Sequence, residues 1–340
     1  MDARSFQSTV RLLFFPIALS ALTLGATPAA AHHGVAGLGA AGLKGPGAPI
    51  ETATSATLPA RKFLLYLKLD HAKYDTFSGD PDEPESDHAS FWLAGLGYGF
   101  TSWLSAYLFV PYNHKVDEPG GFDTNGFADI SFYGQLGFKW DEGLRLIPEN
   151  ESLDDLEDWH FTLFGGATAP TGDENVRDSD GNIDPGKSTG FGEPSYSVGL
   201  TATKTLTSRL TFDLELSRIG FIENTYADGN RTRFGAEYRV NTALIYRAFT
   251  HAARELRLDV SLEPQYLNLG RDRTNGHNER ATGGSIFYLL PGLRAYWKKL
   301  SLGLGVKVPI WTDLNEENEQ QGGEGTEDYR FLFTFSVMFP

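Results

Sequence analysis

From Arg61 to its C-terminus the chain is written in runs whose hydrophobicity alternates with a period of two, and no other feature so narrows what it can fold into. Between Ile130 and Trp140 one face reads Ile130, Phe132, Gly134, Leu136, Phe138, Trp140, and the other Ser131, Tyr133, Gln135, Gly137, Lys139. A second run sets Leu256, Leu258, Val260 and Leu262 against Arg257, Asp259, Ser261 and Glu263. A two-residue period places successive side chains on opposite faces of a strand, so each run is a strand with one apolar and one polar face. Twelve such runs are predicted, at 61–75, 89–101, 103–116, 127–140, 159–172, 193–206, 209–221, 232–248, 254–270, 284–298, 300–312 and 328–340. Ten residues rising about 3.3 Å each and tilted near 45° cover roughly 25 Å, the height of a membrane barrel's apolar band.

The connections between the runs take turns being short and long. Thr101-Ser102, Thr207-Ser208 and Lys298-Lys299 are tight turns, and Thr250 to Ala253 is nearly so. Between them lie polar loops at Thr76 to His88, Asp117 to Gly126, Asp173 to Gly192, Glu223 to Arg231, Arg271 to Gly283 and Asp313 to Glu327. Short periplasmic turns and long external loops are the pattern of an outer-membrane barrel, and an even strand number leaves both termini periplasmic. One connection departs from it: Asp141 to Asp158 falls on the periplasmic side yet is long and acidic, with room for a short helix around Ser152 to Glu157. The predicted fold is therefore an all-β, transmembrane, antiparallel up-and-down barrel of about 12 strands. A soluble β-sandwich or a periplasmic jelly roll also alternates, but its apolar face points inward and its loops need not alternate in length. Tyr66, Trp92, Phe100, Trp103, Tyr107, Trp140, Trp159, Tyr246, Tyr296 and Trp297 lie mostly toward strand ends, where a barrel places its interfacial girdles.

The N-terminus agrees with export. Arg4 and Arg11 precede an apolar stretch from Leu12 to Leu24 and the small residues Ala29-Ala30-Ala31, the pattern of a secretory signal peptide over residues 1–31. Cleavage there removes Arg4, Arg11 and Asp2, taking 29 basic and 44 acidic residues to 27 and 43, a net charge of −16. So acidic a chain is a poor partner for nucleic acid, whose binding depends on Lys and Arg at the phosphates. With no cysteine there is neither a disulfide framework nor a thiolate zinc site. Beyond the signal no stretch reaches the roughly 18 apolar residues of a membrane helix. Residues 32–60, rich in Gly, Ala, Pro and Thr, read as an irregular segment that either hangs in the periplasm or folds into the lumen as a plug, and the barrel runs from 61 to 340.

In a barrel the polar face lines the lumen. Lys139, Asp213, Glu215, Glu237, Arg239, Arg247, Arg257, Asp259, Glu263, Arg294 and Lys307 are predicted to point inward. Opposite charges on neighbouring strands are expected to pair across the ladder. They either stiffen and partly fill the barrel or form a charged constriction that selects permeants. The loop at Asp178, Asp180, Asn182 and Asp184 places oxygen ligands at alternate positions as Ca²⁺ loops do, but its glycine is out of place for an EF-hand and no closing glutamate follows. An acidic turn is the plainer reading. Acidic external loops also suit divalent ions shared with lipopolysaccharide. His32-His33 at the expected new N-terminus would offer an amine and two imidazoles to Cu²⁺ or Ni²⁺. The best nucleophile and base pair is His88-Ala89-Ser90, with both side chains on one strand face but no evident orienting partner. No G-x-S-x-G, H-E-x-x-H or phosphate-cradling glycine motif is present, so no enzyme is expected and no cofactor is required.

Short motifs along the chain resemble a known family. They are His32-His33-Gly34, Gly45-Pro46-Gly47, Pro49-Ile50-Glu51-Thr52, Ser55 and Leu58-Pro59 at the start, and Ala169-Pro170-Thr171-Gly172 closing the fifth run. The turns Gly126-Phe127-Ala128-Asp129 and Gly190-Phe191-Gly192-Glu193 open the fourth and sixth. In these the chain resembles outer-membrane transporters of the meta-pathway (MetA-pathway) phenol degradation type. The resemblance implies a bacterial outer-membrane barrel, surrounded by lipid and lipopolysaccharide, that passes small and often aromatic compounds. Relatives with the same double-histidine start suggest metal handling instead, and a closed structural or surface-interaction barrel is the third reading. Barrels usually end in an aromatic residue read by the assembly machinery; here Phe331, Phe333, Phe335, Val337 and Phe339 are followed by Pro340.

Overall fold

A computed structural model describes residues 45–75, 86–119, 121–149, 151, 158–178, 181–315 and 327–340. Among the described residues twelve long strands form one closed ring: β1 Phe63–Tyr74, β2 Ser86–Gly99, β3 Leu104–Asp117, β4 Ile130–Trp140, β5 Trp159–Ala169, β6 Ser195–Thr207, β7 Leu210–Phe221, β8 Glu237–His251, β9 Leu256–Leu269, β10 Gly284–Trp297, β11 Leu300–Leu314 and β12 Glu327–Phe339. Each pairs antiparallel with its sequence neighbours. The ring closes where β1 meets β12, from Phe63 opposite Phe339 to Ala72 opposite Arg330. Closure leaves no strand edge, so the wall satisfies its own backbone groups, as a structure surrounded by hydrocarbon must.

The two faces of the wall are inverted relative to a water-soluble protein. Lys68, Asp70, Asp213, Glu237, Arg257, Asp259 and Glu263 are each at most 1% exposed, whereas Leu200 is 52% and Ile310 55% exposed. On β9 the predicted parity holds residue by residue: Arg257, Asp259, Ser261 and Glu263 are buried, and Leu258, Val260 and Leu262 are exposed. An apolar belt around a polar interior excludes the sandwich and jelly roll and makes this a transmembrane barrel of the bacterial outer membrane. Aromatic side chains rim the belt at the short-turn end, where Phe63 lies 4.6 Å from Tyr98 and 5.7 Å from Phe339. Trp92, Tyr196, Tyr238 and Trp311, each at least 40% exposed, rim the other. Three aromatics predicted for the girdles are not in them. Tyr66, Tyr107 and Tyr296 are 2%, 4% and 2% exposed and face inward, because they share the strand parity of Lys68, Phe109 and Arg294.

Several boundaries differ from expectation for local reasons. The fourth run is two pieces, since Thr124–Phe127 pairs with Tyr112–Lys115 and β4 begins only at Ile130. Pro111, which has no N–H, lies opposite the gap, and its carbonyl accepts the Ala128 N–H at 3.0 Å. The eighth run begins at Glu237, because Arg231–Arg233 leaves the wall and joins Asn224–Thr225, Arg273–Thr274 and His277–Asn278 in a four-stranded extracellular sheet. Thr250 to Ala253 is not a simple turn: β8 runs to His251, a 3₁₀ turn covers Ala252–Arg254, and Glu255 ends it in the left-handed region. The long periplasmic connection turns at Glu142-Gly143, both with positive φ, and Leu144–Leu146 pairs back onto β4. Ile147, 1% exposed, then seats at the mouth, with Ser102 Oγ donating to its carbonyl at 2.8 Å. Ser152 to Glu157, where the loop has room for a short helix, lies outside the described residues.

Candidate functional site

The lumen is built around a segment that belongs to no strand. Gly45 starts near the periplasmic ends of β8 and β9, where its carbonyl accepts from Arg257 at 2.6 Å and Arg247 at 2.8 Å. The chain rises to mid-height at Ile50-Glu51-Thr52 and descends to Leu58, whose N–H donates to Ser105 Oγ at 2.9 Å near the start of β3. Arg61, with φ of 60°, turns it sharply into β1. Every described residue of this arch from Gly45 to Ala53 is buried. A segment with no sheet partner must find partners for its N–H and C=O groups elsewhere, and here the wall's side chains supply them.

Glu263 does most of this. Its carboxylate accepts the N–H groups of Ile50 at 2.5 Å, Glu51 at 3.1 Å and Thr52 at 2.9 Å, and the Thr52 hydroxyl at 2.9 Å. Arg294 donates to the carbonyls of Ala48 at 3.1 Å and Pro49 at 2.6 Å. Glu215 accepts the Ala53 N–H at 2.9 Å, and Thr203 Oγ1 accepts that of Ser55 at 2.9 Å while donating to Asp213. The arch contributes one charge of its own. Glu51 bridges Lys68 at 3.0 Å and Lys307 at 2.9 Å, a residue from each of two strands that flank β12. On β10 and β11 the wall is glycine where Ile50 packs: a Cβ on Gly303 would come 3.0 Å from Ile50 Cδ1, and one on Gly305 3.3 Å from Cγ2.

The predicted lumen charges all face inward, but they do not pair as expected. Asp259 stands in register between Arg247 and Arg294, yet both its oxygens are taken by Arg257 on its own strand, at 2.7 and 2.6 Å. Arg239 likewise pairs with Glu237 at 2.5 Å. Residues i and i+2 share a strand face, and a guanidinium is long enough to span that step; the neighbouring strands' arginines, Arg247 and Arg294, hold the arch. Lys139 sits at the periplasmic mouth, pairing with Glu151 at 2.7 Å and Asp158 at 3.2 Å. Lys68, Asp70 and Arg330 belong to the same interior and were missed, although the parity of Leu65-Leu67-Leu69 and of Phe331-Phe333 places all three inside. Glu51 had no such signal, because it precedes the strands. Gln265 Nε2 and Thr334 Oγ1 are buried without a protein partner among the described residues.

Above the arch a cavity is lined by Lys68, Phe91, Leu93, Asn113, Tyr133, Ser197 and Ile219 and covered by Pro185 and Ser188 to Phe191. About 60 Å³ of it is open to the centre of a water-sized sphere, room for a handful of waters. The cover is a loop folded into the extracellular mouth, where Lys115 donates to the carbonyls of Gly186 at 2.6 Å and Ser188 at 2.9 Å. Three of the short sequence motifs meet at its base. Asp129 accepts the N–H groups of Thr171, Gly172 and Phe191, each at 2.9 Å. A Cβ on Gly172 would stand 2.7 Å from the Gly190 backbone, so only glycine allows the two turns to touch. Burial pushes the Asp129 carboxyl above the usual carboxylate range, and the three N–H donors pull it back. Phe191 then packs on Ile219, Phe221 and Phe234.

The other candidates are dispersed. Asp178 accepts the Asn182 N–H at 2.8 Å and Asp184 that of Gly186 at 2.8 Å, so both carboxylates close their own loop. Asp180, His32 and His33 lie outside the described residues, and among the described residues no three His, Cys, Asp or Glu side chains gather as metal ligands. His88 and Ser90 share the outer face of β2, but Ser90 is bonded to His71 at 2.9 Å and His88 to Asp87 at 2.7 Å.

The model of the family described as "Putative MetA-pathway of phenol degradation" matches residues 82–326. No curated protein matches the chain. Among solved structures the COG4313 outer membrane channel from Pseudomonas putida F1 shares the fold, at 13% identity and a TM-score of 0.59, over 86% of this chain and 100% of that one. The translocator domain of the autotransporter NalP from Neisseria meningitidis aligns over 84% of this chain and 89% of that one, at 9% identity and a TM-score of 0.45. A TodX monoaromatic hydrocarbon channel mutant aligns over 90% and 98%, at 11% identity and 0.43.

Proposed function

The chain belongs to that phenol-degradation family, and from this premise we propose that it is an outer-membrane channel for passive movement of small, largely apolar solutes, aromatic compounds among them. The observation that carries the reading is the cavity between arch and loop, where Phe91, Leu93, Tyr133 and Ile219 supply apolar contact on a lining shared with Lys68, Asn113, Ser131, Thr168 and Ser197. Aromatic and aliphatic contact beside hydroxyl, amide and ammonium groups suits a small amphipathic ring such as a phenol, which needs one polar partner for its hydroxyl and apolar contact for the rest. In the closed arrangement the opening holds only a handful of waters, so passage requires the arch, the loop or both to move aside. The charged interior then serves to hold a removable segment in place rather than to sort ions. Residues 32–60, on this reading, form a plug in their described part.

A closed barrel that works only through its outer surface is the alternative, and the buried arch is what favours it. Uptake by liposomes carrying the refolded barrel separates the two, with phenol, glucose and chloride compared against a variant lacking residues 32–60. The channel reading expects phenol flux above empty liposomes in the full chain and a general rise on deletion. Flux equal to empty liposomes in both forms would sink it.

A further inference from the structure

The extracellular sheet carries an arrangement that its own energetics disfavour. Register places Arg233 directly opposite Arg273, and Arg231 follows two positions along on the same face. The opposite face, with Asn224 and Thr232 at 7% and 2% exposure, packs inward. Like charges directly opposite one another destabilise a strand pair. A chain with a net charge of −15 had carboxylates to offset them. Yet among the described residues Arg233 has no ionic partner, Arg273 meets only the amide oxygen of Asn278 at 3.4 Å, and Arg231 reaches Glu223 at 3.5 Å. Asp272, adjacent in sequence, is 1% exposed, and one of its oxygens accepts the Gly235 N–H at 3.0 Å.

The lipid face below repeats the pattern. Arg218 points outward from β7 near its extracellular end, at the aromatic rim. It donates to the hydroxyls of Tyr238 at 3.1 Å and Tyr196 at 3.2 Å, and its guanidinium lies 5.5 and 5.6 Å from the two ring centroids. Two strands' phenols thus fix a cation at the membrane boundary with no carboxylate beside it among the described residues. On the other side of the barrel the outward Lys73 has Asp87 as its partner.

We propose that this sector, from β6 to β10, binds the phosphorylated part of lipopolysaccharide directly, with Arg218 at the lipid A phosphates and Arg231, Arg233 and Arg273 at those of the inner core. A guanidinium matches a phosphate with two parallel hydrogen bonds, and arginines held on a sheet lose little freedom on making them. A phosphate seated between Arg233 and Arg273 removes their repulsion. The site is independent of the transport reading, since none of its residues lines the lumen.

The test is thermal unfolding of the full barrel in nanodiscs of four compositions: phosphatidylcholine alone, or with rough lipopolysaccharide, the same lipopolysaccharide dephosphorylated, or phosphatidylglycerol at matched charge. Phosphorylated lipopolysaccharide alone is expected to raise the Tm by several degrees. In native mass spectrometry it is expected to stay bound at least fivefold more than to the Arg233→Gln/Arg273→Gln double variant, with Arg218→Gln also weaker. An equal gain in phosphatidylglycerol means a generic anionic surface and overturns the proposal, as does an undiminished gain with dephosphorylated lipopolysaccharide or in the double variant. Heat-modifiable migration on gels checks folding, and Arg233→Lys/Arg273→Lys, which keeps charge but not the fork, is expected to fall between wild type and double variant.

Discussion

Glu263, on the inner face of β9, accepts the backbone N–H of Ile50 at 2.5 Å, a bond that joins residues 213 positions apart and ties the arch to the barrel wall. It is one of four that the same carboxylate accepts from Ile50-Glu51-Thr52. Glu263→Ala therefore strands three buried N–H groups at once. Each costs about 1 to 3 kcal/mol unless water reaches it. The expected outcome is a released arch: faster phenol uptake by liposomes, with the wall intact by heat-modifiable migration. Uptake at the wild-type rate would mean that Glu263 does not hold the arch closed.

Removing the arch's charge has a different signature. In Glu51→Gln the buried Lys68 and Lys307 lose the carboxylate they share, and breaking a buried pair in this way costs about 3 to 5 kcal/mol. Lys68 keeps Asp70 at 3.7 Å, while among the described residues no other carboxylate pairs with Lys307. Phenol uptake by liposomes should rise above wild type, and adding Lys307→Met, which removes the stranded charge, should lower it again; uptake at the wild-type rate in Glu51→Gln would mean that Glu51 does not hold the arch.

Asp129 fastens the loop over the extracellular mouth. In Asp129→Asn the remaining oxygen can still accept from Thr171 and Gly172, but the new amide sets a donor against the N–H of Phe191. Losing that bond costs about 1 to 3 kcal/mol locally. Hydrogen exchange at Gly190 to Gly192 should accelerate roughly tenfold or more with little change at β9, and protection equal to wild type would refute the role given to Asp129.

The inverted wall predicts opposite tolerances on its two faces. Val260, 42% exposed, faces lipid, and an arginine there costs about 2 to 4 kcal/mol near the bilayer midplane. Ser197, buried on β6, faces the lumen instead. Val260→Arg should lower stability in a urea titration by that amount, and Ser197→Arg by less, at the expense of permeation.

How far the sequence foretold this arrangement follows from which interactions are local. Strand existence and facing are local: Leu258-Asp259-Val260 shows its two faces in three letters, and alternating loop lengths supply the rest. Lys68 and Arg330 are readable by the same parity, each flanked by outward apolar residues on its strand. The pairing was not readable, since Asp259 has three arginines within reach and only side-chain length and the arch decide among them. Nor was the arch: Pro49 to Thr52 has no period, and its conformation is dictated by Glu263 and Arg294, more than 200 residues away. The motifs around Asp129, Thr171-Gly172 and Gly190-Phe191 were visible as letters, but their meeting at one carboxylate is a fact of three dimensions.

The left-handed turn at Arg61 joins Leu58, at the foot of the arch, to the first wall strand across a few residues. The stopper is thus covalently leashed to the vessel it closes. On the channel reading, an arch that has left the lumen returns by a first-order step whose driving concentration, on the order of millimolar for a short flexible leash, does not depend on how much protein the membrane holds. A free peptide of residues 45–58 would have to be supplied at a comparable concentration to close a barrel lacking its own.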